Sequence, residues 1–183
     1  MLTICLTCRL IDDSGRDITT DNTAGEAWIR STQVMTSYYG NPAATLETMP
    51  DEWLHTGDIC YVSAGKWYVV GRKKELIKVS GWQVAPAELE AVLICHPKIF
   101  DAAVLGVKIG DNEAPRAFVV RSPSACAEKA GWIEEGEVKA FMRERLAKYK
   151  SLDGGVVFLD AIPKNAMGKT DKKKLLEMYP YTV

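Results

Sequence analysis

Net charge of either sign is missing: 23 lysines and arginines stand against 24 aspartates and glutamates over 183 residues. Nucleic-acid binding needs a sustained positive field, so no DNA or RNA partner is expected. Long apolar runs are missing too. No stretch approaches the roughly 20 residues that a membrane-spanning helix needs. The N-terminus offers only a short apolar stretch before Asp12 and Asp13, with no basic region ahead of it, so neither a signal peptide nor a membrane span is expected. Cysteine is sparse for disulfide stapling, with Cys5, Cys8, Cys60, Cys95 and Cys126 in a chain long enough to do without it. Cys5 and Cys8 have the spacing of half a zinc site. No second such pair and no close histidine pair completes four ligands, so no metal site is expected in this chain. Histidine occurs twice, at His55 and His96, neither beside a nucleophile in sequence, and neither is assigned a catalytic role. Internal repeats and low-complexity segments are absent as well.

What is present is an ordinary globular composition, 47% hydrophobic and 26% charged. Its length suits one domain, or a small domain with part of another attached. The first seventy residues read as short strands and turns. Arg9 to Ile11 leads into the turn signal Asp12-Asp13-Ser14-Gly15, and Glu26 to Arg30 makes a second strand. Asn41-Pro42 initiates a turn before a short helix-prone stretch, Ala43 to Met49, and Trp67 to Val70 forms another strand. Trp28, Trp53 and Trp67 are expected in the core, because large aromatic side chains dominate core burial.

From Gly71 onward strands and helices mix. Glu75 to Val79 and Trp82 to Val84 flank Ser80-Gly81 as a hairpin. Pro86 suits the first position of a helix that carries Leu89, Val92 and Leu93 on one face and stops before His96-Pro97. Strands are expected at Ala102 to Val107 and Ala117 to Val120. A helix follows in which Val138, Phe141, Met142 and Leu146 recur at helical spacing, then a strand at Val156 to Leu159 and a basic terminal helix around Lys172 to Met178. The Lys172 to Lys174 run reads as a solvated face.

Three segments set polar residues inside glycine-bounded turns, where a ligand can approach the backbone closely. In Trp53-Leu54-His55-Thr56-Gly57-Asp58, the Asp58 carboxylate has the chemistry to accept hydrogen bonds from two vicinal sugar hydroxyls. A stretch from Gly71 to Pro86 places Arg72, Lys74 and Lys78 on a connector and hairpin. In Pro163-Lys164-Asn165-Ala166-Met167-Gly168-Lys169, Lys169 can swing a point charge toward a phosphate or carboxylate. Taken singly, each is as well explained by an ordinary surface turn or a solvated basic face.

Taken together, GEAWIR, SYYGNPAAT, WLHTGDI, GRKKELIKVSGWQVAPAELE and PKNAMGK follow one another in the order and separation found in adenylate-forming enzymes. The chain resembles the C-terminal part of an adenylate-forming, AMP-binding acyl-CoA synthetase of the 4-coumarate-CoA ligase and luciferase branch. That resemblance implies an α+β fold: residues 1–71 as the β-rich end of the large AMP-binding domain, and residues 72–183 as the small mobile lid, hinged near Lys74. It implies carboxylate activation by ATP and then transfer to CoA, with ATP or AMP and CoA as substrates alongside a carboxylic acid. By the same resemblance, Asp58 and Arg72 bind the nucleotide ribose. Lys169 is the adenylation lysine, Lys78 and Gln83 serve thioester formation, and Ser80, Gly81 and Trp82 lie along the CoA path.

The sequence departs from the pattern at Ser80, where a basic residue is common, at Gly71, where aspartate is common, and at Met167, where serine is common. Family features upstream of these motifs, namely the phosphate loop, the acyl pocket and the magnesium ligands, have no counterpart in the chain. Little or no turnover is therefore expected from it alone. An alternative is a non-catalytic lid module that docks on a partner chain, such as a separate N-terminal polypeptide. A peptide-synthetase adenylation unit fits less well, given GWQVAPAELE and no carrier segment after Lys169. The C-terminal Pro180-Tyr181-Thr182-Val183 is no SKL-type address, which makes the cytoplasm the expected compartment and leaves the peroxisome open.

Overall fold

Turn chemistry lays out the first half of the chain. The Asp12 carboxylate accepts the backbone N–H groups of Ser14 (2.8 Å) and Arg16 (2.9 Å), reversing the chain after the first strand. Ala64 and Gly65, both at positive φ (+48° and +73°), make a two-residue hairpin between paired residues Ser63 and Lys66. The computed structural model describes residues 6–123 and 132–181; Cys5, Cys126, Thr182 and Val183 lie outside them. Two compact units emerge, Met1–Lys74 and Glu75–Val183.

In the first unit, β1 (Leu6–Ile11), β2 (Gly25–Ser31), β3 (Leu54–Ser63) and β4 (Lys66–Arg72) form an antiparallel sheet in sequence order. The β2–β3 connection carries α1 (Pro42–Thr48). Asn41 caps it by accepting the Ala44 N–H at 3.1 Å, and Pro42 occupies its first turn. Leu10, Ala27 and Cys60 form a small core with Ile18 and Val62. Trp53 is buried and Trp28 stacks on the His55 ring at 3.7 Å, but Trp67 is 44% exposed. The expectation for Trp67 fails because β4 is the sheet's edge strand, where Trp67, Tyr68 and Val69 are all exposed although successive side chains point to opposite faces.

In the second unit, β5 (Ile77–Val79) and β6 (Trp82–Val84) make a two-stranded ribbon. A three-stranded sheet follows: β7 (Ile99–Ile109) pairs antiparallel with β8 (Asn112–Arg121), and β9 (Val156–Leu159) runs parallel to β8. Parallel pairing demands a crossover, which carries α3 (Glu135–Arg143). The sheet is buried on both faces, as its unbroken apolar run Ala102 to Val107 requires. Val104, Ala117 and Val119 meet Leu89 and Leu93 of α2 (Pro86–Ile94), Val138 and Met142 of α3, and Ile77 and Val84 of the ribbon. On the opposite side, Ala103, Leu105, Phe118 and Val120 meet Ile162 and Leu175, the latter from α4 (Lys172–Met178).

Several element boundaries differ from the sequence reading. Both long strands extend past their apolar centres to meet in a hairpin, since ladder bonding tolerates the polar residues at their ends. Glu75 lies in a single 3-10 turn, Lys73–Glu75, rather than in β5. Leu146 falls beyond α3, although its N–H still donates to the Met142 carbonyl at 3.0 Å. No helix among the described residues is long and apolar enough to cross a membrane.

Candidate active site

The TGD segment lies within β3, not in a surface turn. Gly57 adopts φ +70°, where the β2–β3 register shifts between Glu26 and Trp28, so the strand accommodates an irregularity that a side chain would strain. Thr56 ties this kink down: its hydroxyl donates to the Ala27 carbonyl (2.7 Å) and accepts the Asp58 N–H (3.0 Å). The Glu26 carboxylate accepts the Gly57 N–H at 3.2 Å.

Asp58 and Arg72 are paired across β3 and β4. Arg72 Nε lies 2.8 Å from Asp58 Oδ1, and Arg72 Nη1 donates to the Thr56 carbonyl at 3.0 Å. The guanidinium thus fixes the carboxylate from one side. With its side chain 34% exposed, Asp58 still presents acceptor capacity to solvent.

Past Arg72, Lys73 donates to Glu26 at 3.0 Å and lies 3.6 Å from Asp13. The hydrogen bond that Lys73 donates to the Glu26 carboxylate pushes its ammonium above its ordinary pKa. Lys74 is exposed and has no side-chain ion pair or hydrogen bond among the described residues. Glu75 pairs with Lys172 at the protein surface.

On the ribbon, Lys78 and Gln83 are directly opposed, and both are exposed. Their neighbours Ile77 and Val84 point the other way into the core, 1% and 0% exposed. The turn takes positive φ at Ser80 (+46°) and Gly81 (+87°), the pattern that matches strand twist. Serine at the first of these positions carries strain of about 1 kcal/mol. Trp82 stacks on Tyr149 at 4.8 Å yet remains 58% exposed.

Lys169 sits on its own loop, sharing neither strand nor turn with the ribbon. Asn165 organises that loop: its Oδ1 accepts the Met167 N–H (2.9 Å) and the Lys169 N–H (3.0 Å), while its own N–H donates to the Lys169 carbonyl (2.7 Å). Lys164 anchors the loop's start to Asp101 of β7 at 2.9 Å. The Lys169 side chain is exposed.

The structure therefore groups Asp58 with Arg72 in the first unit, and Lys78 with Gln83 in the second. The supporting roles of Thr56, Glu26 and Asn165 escaped the sequence reading. Asn165 carried a usable signal, an asparagine three residues ahead of a loop glycine. Glu26 carried none, because its contact depends on the β2–β3 register. Among the described residues no group of three or more acidic, histidine or cysteine side chains converges, so these residues offer magnesium no cage.

Comparison with known proteins decides what this arrangement belongs to. Residues 88–169 match the family model for the AMP-binding enzyme C-terminal domain. The chain is 47% identical over 176 residues to the acyl-CoA synthetase ACTT5 of Alternaria alternata, covering 92% of this chain and 29% of that protein. Residues 88–169 thus carry the AMP-binding enzyme C-terminal domain, and the chain as a whole is similar to adenylate-forming acyl-CoA synthetases. A 4-coumarate–CoA ligase-like protein of Oryza sativa subsp. japonica is 41% identical, over 93% of this chain and 30% of the relative. Among solved structures, ATP-bound MatB from Rhodopseudomonas palustris superposes with a TM-score of 0.81 at 29% identity, over 95% of this chain and 34% of MatB. The α+β fold is thus that of adenylate-forming enzymes, and the chain spans about a third or less of each of these proteins.

Proposed function

We propose that the chain acts as the C-terminal part of an ATP-dependent acid–CoA ligase. The reaction runs in two steps. A substrate carboxylate oxygen attacks the α-phosphorus of ATP, expelling pyrophosphate and leaving an acyl-adenylate. The CoA thiol then attacks the acyl carbon, losing its proton, and AMP departs.

Asp58 accepts hydrogen bonds from the ribose hydroxyls in both steps, held in place by Arg72. Lys169 brings its ammonium to the carboxylate and phosphate oxygens, where negative charge concentrates during adenylation. Lys78 and Gln83 serve thioester formation, with CoA passing along Ser80, Gly81 and Trp82. Residues 1–71 belong to the large AMP-binding domain and residues 72–183 to the lid. Lys74, unpaired between the anchored Lys73 and Glu75, is the pivot that presents one lid face and then the other. The observation that carries this reading is the Asp58–Arg72 contact at 2.8 Å, in a chain 47% identical to a curated acyl-CoA synthetase.

The test is a hybrid ligase, in which this chain replaces the matching C-terminal third of a characterised family member. Pyrophosphate release with ATP and the acid is expected, as is thioester formation from preformed acyl-adenylate and CoA, while the 183-residue chain alone gives neither. A folded hybrid inactive in both half-reactions overturns the reading.

A second reading is favoured by β4. Trp67 (44%), Tyr68 (42%) and Val69 (71%) are exposed side by side on an edge strand, the kind of surface that a soluble protein covers. Here residues 1–71 dock on a partner polypeptide bearing the remainder of a ligase. Strong dye binding or self-association by the isolated chain supports docking, and a dye-silent monomer counts against it.

A further inference from the structure

The ribbon bearing Lys78 and Gln83 has only two strands of three residues each, a length that is marginal in water without outside support. Its core face is secured by Ile77 and Val84. Its outer edge is held differently. The backbone N–H of Lys78 leaves the β5–β6 ladder and donates to Oε2 of Glu113, at 2.9 Å. Glu113, the second residue of β8, stands opposite Lys108, and with Lys78 and Lys108 it lines one depression beside the β7–β8 turn.

Gly106 on β7 lies beside both Ile77 and Glu113. A Cβ at that position would stand 3.3 Å from both Cγ atoms of Ile77 and 3.5 Å from Glu113 Oε2. A side chain there would crowd the ribbon's core anchor Ile77, while meeting its edge acceptor only at ordinary contact distance.

We infer that Glu113 is a positioning residue for thioester formation: its carboxylate holds the Lys78 backbone, and through the Lys78–Gln83 pairing sets where both side chains project. This rests on the function proposed above and deepens it. A carboxylate–amide bond is charge-assisted and directional, so its loss frees the edge while the Ile77 and Val84 anchors keep the ribbon attached. Misplacement by about 1 Å can cost on the order of a hundredfold in a positioned reaction, without any change in which groups are present. Lys169, on another loop, does not depend on this contact.

Two measurements test it. In the 183-residue chain, amide hydrogen exchange at Lys78 is followed by NMR for wild type, E113A, E113Q and G106A. Exchange is expected to quicken about tenfold or more in E113A. In E113Q, which retains an acceptor oxygen, it stays close to wild type. In G106A, whose Cβ crowds Ile77 but meets Glu113 only at ordinary contact distance, exchange is expected to quicken less than in E113A. In the hybrid ligase, E113A is expected to lower the thioester half-reaction by about ten- to a hundredfold while adenylation changes less than about threefold, and E113Q restores most of the loss.

Unchanged exchange at Lys78 in E113A overturns the contact, whatever the chain's function. Equal losses in both half-reactions, accompanied by a lower melting temperature, show a merely structural role and overturn the positioning claim. If the wild-type hybrid runs neither half-reaction, the proposed function falls and the catalytic part of this inference falls with it, while the exchange data still decide whether Glu113 holds the ribbon.

Discussion

Glu75, one residue past Lys74, is ion-paired with Lys172, three residues past Lys169. The contact joins the start of the second unit to the segment that follows the Lys169 loop. Both side chains are well exposed, 48% for Glu75 and 34% for Lys172, so solvent screens the pair and its share of stability is below about 1 kcal/mol. Glu75→Gln is expected to leave urea unfolding nearly unchanged, while slowing adenylation several-fold in the hybrid ligase by loosening the path to Lys169. A large loss of stability with normal adenylation contradicts this assignment.

The two lysines should separate by step. Lys169→Ala is expected to depress pyrophosphate release by on the order of 10²- to 10³-fold, the usual consequence of removing a preorganised charge. Thioester formation from supplied acyl-adenylate should largely survive. Lys78→Ala should show the reverse pattern. Parallel losses in both assays for both variants would refute the division of labour.

Leu175 is fully buried beneath the sheet, whereas its neighbour Leu176 is 41% exposed. Leu175→Ala should cost about 2–4 kcal/mol, as for a buried leucine replaced in a closed core. Leu176→Ala should fall within about 0.5 kcal/mol. Denaturant unfolding of the two variants checks the contrast.

His96 gives the second unit a dependence on acidity. Burial holds its imidazole below the ordinary value of 6.5, outweighing the opposite pull of Glu137 at 3.6 Å, while Lys98 and Arg145 push the same way as burial. Phe141 packs edge-on against the ring. A pKa depressed in the folded state means that the unfolded chain binds the proton first. This contribution to stability is therefore present above pH 6.5 and is lost as pH falls below it. Unfolding free energy measured from pH 7.5 to 5.5 (about one unit either side) should decline in wild type and decline less in His96→Asn.

Much of this architecture is visible in the residues alone where a local signal is strong. Ser80-Gly81 between the alternating triplets Ile77-Lys78-Val79 and Trp82-Gln83-Val84 marks the ribbon, Pro86 marks the start of α2, and the apolar run Val156 to Leu159 marks β9. Strand β3 was harder to see, because Gly57 and Asp58 interrupt its apolar pattern and only the register with β2 shows the irregularity to be part of a strand. Trp67 could not be placed correctly, since nothing local says that β4 lies at an edge. The side-chain contacts organising the candidate site are less legible still. The contact of Glu113 with Lys78 joins residues 35 positions apart, and that of Glu26 with Gly57 joins residues 31 apart, so both exist only once the sheets are assembled.

The parallel docking of β9 on β8 also imposes an order of events on the nascent chain. A β-hairpin such as β7–β8 closes from neighbouring residues, but β9 must wait until the crossover through α3 has brought it back to a finished edge. The loop bearing Lys169 leaves directly from β9 and gains its anchor, Asp101, only from that completed sheet. The loop of Lys169 is thus set in place only after the sheet that anchors it, so that misfolding earlier in the unit leaves that loop without its anchor.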